Sequence, residues 1–218
     1  MSFLINIPNR KIDKLIDRLA QDIPLSEIQV YPDITDPDAI EFALVWKHEH
    51  GSLKGLKNLK AISSFGAGVD SILSDPYLPQ VPLARIVDNT LAFDMAKFLV
   101  ATIQQHKLRF AQFRAQQSQS LWKPKSKRRG NTVGILGLGQ LGQKAAALLT
   151  VFGFDVLGWS RSEKKLDGVE CFHGEQGFTE LVEKSDYLIC LLPLTEQTKG
   201  VLNYDLFHQM PNESVLIN

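Results

Sequence analysis

The stretch TVGILGLGQLGQKAAALL, Thr132–Leu149, decides how the chain folds. The apolar run from Val133 to Leu136 reads as a strand. Gly137, Gly139 and Gly142 follow in GxGxxG spacing, and Leu141, Ala145, Leu148 and Phe152 then share one helical face. The three glycines serve separate physical ends, namely a tight turn, close approach of backbone to a pyrophosphate, and close packing of helix on strand. The helix opens at Gln140 and Leu141, so its free N–H groups face the anion. Enzymes of S-adenosylmethionine use a similar glycine loop after a first strand. The next strand must therefore decide between cofactors.

That strand is DVLGWSRSEKK, Asp155–Lys165, and it ends roughly twenty residues past the glycines, where an NAD site places a carboxylate on the ribose 2′-hydroxyl. This chain has Ser160, Arg161 and Ser162 there instead. A carboxylate would repel a 2′-phosphate, whereas an arginine flanked by hydroxyls offers it charge-assisted hydrogen bonds. The pattern favours NADPH over NADH. It also argues against S-adenosylmethionine, whose ribose wants an acid at the same point.

Outward from this stretch, short apolar runs alternate with helical patterns, the signature of an α/β layer fold. SFLINI, IQVYP, FALVWK, KAISSF and PLARIVD are the early strands. KIDKLIDRLAQDI, with Ile12, Leu15, Ile16 and Leu19 on one face, is a surface helix between the first two. From Leu91 the apolar positions Met95, Leu99, Ile103, Phe110 and Phe113 predict one long helix, ending near SLWKPKSKRRG, where Pro124 and Gly130 break the pattern. After the glycine stretch, strand and helix alternate again to SVLIN, as in a parallel sheet with crossover helices. We expect two units: a substrate-side, flavodoxin-like α/β domain over residues 1–98, and a doubly wound Rossmann unit, incomplete at its C-terminal end, over 99–218. A substrate would sit in the gap between them.

Lys plus Arg and Asp plus Glu number 24 each, so no net charge draws the chain to nucleic acid or membrane. KPKSKRR, Lys123–Arg129, is the one dense basic run; with no aromatics interleaved beyond Trp122 it reads as a solvated loop. The start MSFLINIPNRK reads as a strand and not as a secretory leader, and no apolar run approaches the roughly 20 residues of a membrane span. Cys171 and Cys190 lie apart without metal or redox spacing and are expected as reduced thiols in a cytoplasmic protein.

With these residues in hand, the chain resembles the D-isomer-specific 2-hydroxyacid dehydrogenase family, most of all its branch of bacterial glyoxylate/hydroxypyruvate reductases of type A. The resemblance runs over nearly the whole sequence. It rests on FGAGVDSIL (Phe65–Leu73), VGILGLGQLGQ, WSRS (Trp159–Ser162) and LLPLTEQTKGVLN (Leu191–Asn203). It implies an NADPH-dependent reductase of a small 2-oxo acid, such as glyoxylate or hydroxypyruvate, working as a homodimer. It further implies that Ala67, Gly68 and Val69 grip the substrate carboxylate and that Leu192, Pro193 and Thr198 lie beside the nicotinamide. Trp46 and Trp122 resemble aromatic positions around the substrate.

The family's catalytic arginine, glutamate and histidine are expected beyond Asn218, so the resemblance assigns no catalytic residue to this sequence. None of the histidines (His48, His50, His106, His173 and His208) falls at the family's catalytic position. HEH, His48–His50, is expected as a solvated loop with no metal. Two function classes stay open at this level: the reductase, and a dinucleotide-binding interaction module or decayed enzyme without turnover, as in corepressors of the C-terminal-binding-protein type.

Overall fold

A computed structural model of the chain describes residues 2–218. They form two compact units: the first runs as far as Val87 and takes in Pro193–Thr195, and the second covers Asp88–Leu192 and Glu196–Asn218.

The first unit contains β1 (Ser2–Asn6), α1 (Asp13–Leu19), β2 (Ile28–Val30), β3 (Ile40–Val45), β4 (Ala61–Ser64), α2 (Asp70–Leu73) and β5 (Leu83–Ala84). The strands lie in the order β2-β1-β3-β4-β5, every pair parallel. This is the flavodoxin-like order, with its switch point between β1 and β3. Leu4, Ile40, Ala43, Val45 and Ile62 from the strands pack with Leu53, Leu56 and Leu59 from the segment after β3 and with Ile72 of α2. Each expected strand is present. The surface helix is shorter than its pattern and only half-buried on its apolar face.

HEH departs from its expectation. Glu49 and His50 are exposed, but His48 is buried, with Nε2 3.1 Å from Asp75 Oδ2. The same carboxylate accepts the N–H of Gly51 at 2.9 Å and that of Tyr77 at 2.9 Å. Asp75 thereby staples the segment after β3 to the segment after α2. A partner that far along the chain is invisible to a local reading of HEH. Burial opposes ionisation of Asp75, but the N–H bonds from Gly51 and Tyr77 and the His48 interaction outweigh it and hold the carboxyl below its ordinary value.

The second unit contains α3 (Asn89–Lys107), α4 (Phe110–Ser118), β6 (Thr132–Leu136), α5 (Gln140–Val151), β7 (Asp155–Trp159), β8 (Val169–Phe172), α6 (Gly174–Lys184), β9 (Tyr187–Cys190), α7 (Tyr204–Gln209) and β10 (Val215–Ile217). The order is β10-β9-β6-β7-β8, again all parallel. Counted within this unit it places the first strand between the second and the fourth-wound neighbour β9, the arrangement of the first five strands of a Rossmann sheet. The Asp88 carboxylate caps α3 by accepting the Thr90 N–H at 2.7 Å. Ala96, Leu99, Val100 and Ile103 of α3 then share a core with Ala145, Ala146 and Leu149 of α5 and with Val133, Ile135 and Ile189 of the sheet. Because α3 belongs wholly to this unit, a boundary at 98/99 falls inside the helix.

The single long helix predicted from Leu91 onward is in fact two. Arg109 stands between α3 and α4 at φ +61°, a left-handed conformation that ends one helix and starts the next. The apolar spacing carries across the break, so periodicity alone does not reveal it. What holds the bend is tertiary: Arg109 Nε donates to the Ser126 carbonyl at 2.8 Å. Among the described residues no helix is long and apolar enough to cross a membrane.

Asp75→Asn tests the staple in the first unit. A carboxyl with a lowered folded pKa adds stability that is fully present above its unfolded value of about 3.9 and is lost as pH falls through the folded value. Denaturant unfolding across pH 2–7 should show the variant less stable at neutral pH, with a shallower loss below about pH 4 than the parent. Parallel acid limbs would remove Asp75 from the account.

Candidate functional site

β6 ends at Leu136, and the chain turns at Gly137 with φ +106°, a conformation glycine adopts without strain. The Gly137 N–H donates to the Trp159 carbonyl at 2.9 Å, fastening the turn to the end of β7. At Gly142 a Cβ would stand 2.0 Å from the Gly137 carbonyl oxygen, so glycine is what lets α5 lie on the turn. At Gly139 nothing lies within 4 Å of where a Cβ would be. The three roles read from the sequence are thus separable in space: Gly137 turns, Gly142 packs, and Gly139 leaves its face open. Gly139 is the N-cap residue of α5, and no side chain caps the helix, so the first-turn N–H groups at Gln140, Leu141 and Gly142 have no side-chain acceptor. That is the geometry of an anion site, and it fits a pyrophosphate.

This turn lies at the switch point between β6 and β9. A Cβ at Gly137 would come 3.1 Å from the Leu191 carbonyl oxygen and 3.3 Å from the Leu192 side chain. Leu192 is therefore packed against the glycine turn, while Pro193 and Thr198 lie on the loop that leads on to α7. Ligands of open α/β sheets bind outside the carboxyl ends of the strands at such a point.

At the end of β7 the three residues WSRS places after Trp159 serve different ends. Ser160 is buried, and its hydroxyl donates to the Ser162 carbonyl at 2.7 Å, shaping the turn. Arg161 and Ser162 are exposed, and the Arg161 guanidinium lies 3.4 Å from Gln197 Oε1. Of the two hydroxyls expected beside the arginine, Ser162 faces solvent and Ser160 faces inward.

In the first unit, Trp46 follows β3 directly and its ring fills the space beside Gly66, where a Cβ would stand 2.2 Å from the ring. The Ser64 hydroxyl donates to the Gly68 carbonyl at 2.7 Å and accepts the Gly66 N–H at 3.2 Å, curling the loop after β4. Ala67, Gly68 and Val69 donate no backbone hydrogen bond among the described residues. Trp46 and Phe65 also share a cation: the Arg10 guanidinium lies 5.8 Å from each ring centroid. Arg10, Trp46 and the 65–69 loop follow β1, β3 and β4, around that sheet's own switch point. Trp122, in contrast, is 91% exposed on the segment after α4.

The sequence model of the D-isomer specific 2-hydroxyacid dehydrogenase NAD-binding domain matches residues 98–218. The chain belongs to this family. It is 38% identical over 191 residues to a glyoxylate/hydroxypyruvate reductase A of Yersinia enterocolitica, covering 84% of this chain and 61% of that protein. To the Serratia proteamaculans protein of the same name it is 34% identical, covering all of this chain and 72% of the relative. Among solved structures, a D-isomer specific 2-hydroxyacid dehydrogenase from Xanthobacter autotrophicus in complex with NADPH and MES superposes with a TM-score of 0.89 at 32% identity, over 100% of this chain and 71% of that one. The NADPH-dependent glyoxylate/hydroxypyruvate reductase of Sinorhizobium meliloti, in complex with NADP and sulfate, gives 0.81 at 34% identity, over 96% of this chain and 68% of that one.

Within this chain, two cations beside the expected residues escape a reading of the sequence. Lys164 Nζ donates to the Leu138 carbonyl at 2.7 Å, which Gln143 Nε2 also reaches at 3.0 Å, so an ammonium from the β7–β8 loop stands at the glycine turn. The signal is present in RSEKK but does not say which lysine turns inward. Arg10 has no local signal beyond a basic residue after a strand. Among the described residues no group of three or more His, Cys, Asp or Glu is placed to hold a metal ion.

The glycines make a paired test. Gly142→Ala forces backbone against backbone and should destabilise the second unit by about 1–3 kcal/mol. Gly139→Ala meets open space and should unfold at nearly the parent denaturant concentration. Equal losses for the two would show that the turn is not organised by this contact.

Proposed function

We propose that the chain binds NADPH in preference to NADH and holds the cofactor and carboxylate for a reductase of small 2-oxo acids, of the glyoxylate/hydroxypyruvate kind, forming the D-2-hydroxy acid. The observation that carries this reading is the exposed guanidinium of Arg161 at the end of β7, where a carboxylate would select NADH. Gly137, Gly139, Gln140, Leu141 and Gly142 cradle the pyrophosphate. Arg161, with Ser162 and Lys164 on the same loop, receives the 2′-phosphate, and Ser160 holds that loop's shape. Leu192, Pro193 and Thr198 border the nicotinamide. Bound NADPH supplies the hydride for the carbonyl carbon.

The free N–H groups at Ala67, Gly68 and Val69 receive the substrate carboxylate, with Trp46 and Arg10 as its wall and its nearby positive charge. In this reading the first unit is the substrate side and the second the dinucleotide side. No proton donor is assigned among the residues of the chain. The names of the relatives, and the NADP and NADPH in the related structures, support the same cofactor and substrate class. Exposed Phe93 and Phe98 on α3 and Trp122 beyond α4 suit a homodimer. Two free cysteines suit the reducing cytoplasm.

The test is calorimetric titration of parent and Arg161→Ala protein with NADPH and with NADH. Loss of a charge-assisted pairing worth roughly 1.5–3 kcal/mol should weaken NADPH binding about ten- to a hundredfold and leave NADH within about twofold. Equal losses for both cofactors would defeat the assignment of the 2′-phosphate.

A further inference from the structure

The basic run Lys123–Arg129 plays no part in the dinucleotide reading, yet it is not simply solvated. The Arg128 N–H donates to the Lys107 carbonyl at 2.8 Å, and the Ser126 carbonyl accepts from Arg109 Nε at 2.8 Å. These bonds fold the run back against the end of α3. With His106 and Tyr187 it encloses a cavity of about 340 Å³. Gly130, just ahead of β6, and Asp186 and Tyr187, at the start of β9, also line it. The cavity therefore lies at the N-terminal edge of the sheet. The glycine turn lies at the other edge, roughly 17 Å away along a strand of five residues.

Charge in this cavity is unbalanced. Arg109, Lys127, Arg128 and Arg129 face it, against the carboxylates of Asp186 and Glu213. None of the four cations forms an ion pair among the described residues. Asp186 is already committed, since its Oδ2 accepts the N–H of Asn131 at 2.8 Å and of Thr132 at 2.9 Å. Arg128 Nε is buried with no hydrogen-bond partner, a costly arrangement for a guanidinium N–H unless an acceptor arrives. His106, whose Nδ1 is 3.2 Å from the Tyr187 hydroxyl, registers the same field. Burial first, and then the charges of Arg128 and Arg109, hold its pKa below the ordinary histidine value.

We infer that this cavity is a binding site for a small phosphomonoester, held by the guanidinium groups of Arg128 and Arg109 with Lys127 and Arg129 around them. The excess of cations over carboxylates matches the charge of about −1.5 to −2 on a phosphomonoester at pH 7, where a single carboxylate would leave it half-neutralised. A volume at the lower end of the roughly 300–1,000 Å³ range of ligand pockets admits a phosphate with a few carbons. Tyr187 is the one aromatic on the wall apart from His106, and the two rings meet edge-on, so no stacking platform for successive bases is present there.

Glycerol phosphate is the probe, compared with glycerol and with a single-stranded oligonucleotide at constant ionic strength on the 218-residue chain. The reporter is the His106 imidazole resonance followed by NMR through its pH titration. The groups facing it are Arg109, Arg128 and the Tyr187 hydroxyl, with Asp186 and Glu213 across the cavity. A bound dianion should raise the His106 midpoint by on the order of half a pH unit or more, because an opposite charge favours the imidazolium. Glycerol should leave it unmoved. Arg128→Gln and the exposed Lys127→Gln, each checked for a parent-like unfolding transition, should weaken glycerol phosphate binding, the former by about tenfold or more. An unmoved His106 midpoint, or full affinity in Arg128→Gln, would overturn the site. So would an oligonucleotide that shifts His106 at lower concentration than glycerol phosphate, which would make this a nucleic-acid face instead.

Discussion

A Cβ on residue 142 would lie 2.0 Å from the carbonyl oxygen of Gly137, and the second unit is built around keeping that space empty. With it empty, α5 rests directly on the turn that ends β6. The first turn of the helix then aims its uncapped N–H groups across the switch point between β6 and β9. The same seating turns Ala145, Ala146 and Leu149 toward α3, where Ala96 and Ile103 complete the core. Close approach of helix to turn, small residues between helices and an open anion site are consequences of one steric fact. A similar economy holds at β7, where a Cβ on Gly158 would come 2.6 Å from the buried Leu138 side chain that supports the turn from below.

The first unit reaches a comparable arrangement by other means. Its loop after β4 is curled by the Ser64 hydroxyl, and Gly66 makes room for the Trp46 ring where the second unit makes room for a helix. In both units the polar backbone left unpaired lies beyond the carboxyl ends of the strands, next to the strand pair at which the winding reverses. There successive crossover connections leave in opposite directions and open a crevice. At the amino ends of the second sheet the chemistry is different: a basic run is pulled in over β6 and β9 by two backbone-directed hydrogen bonds, from the Arg128 N–H and from Arg109 Nε.

How much of this is legible in the sequence differs residue by residue. Gly137, Gly139 and Gly142 are legible because each answers to local geometry, a turn, an open face and a helix seat within six positions of chain. The strands are legible because apolar runs between turn residues have few other uses. The break at Arg109 is not, since no glycine or proline marks it and Phe110 and Phe113 keep the helical spacing. Ser160, expected to face a ligand, turns inward because the carbonyl of Ser162 lies within its reach. His48 is hidden for a related reason: Asp75, its partner, is supplied by another segment.

The sequence by itself determined the α/β class, the two-unit plan, the glycine turn and the arginine where an acid is usual, because those features are set by periodicity, by backbone freedom and by the charge of single side chains. The tertiary structure alone decided which cations converge: Lys164 on the Leu138 carbonyl, Arg10 over Trp46, and Arg109 with Arg128 beside His106. Side chains on long flexible stems have no preferred neighbour in sequence. Their partners are carbonyls and rings that only the folded backbone brings within reach.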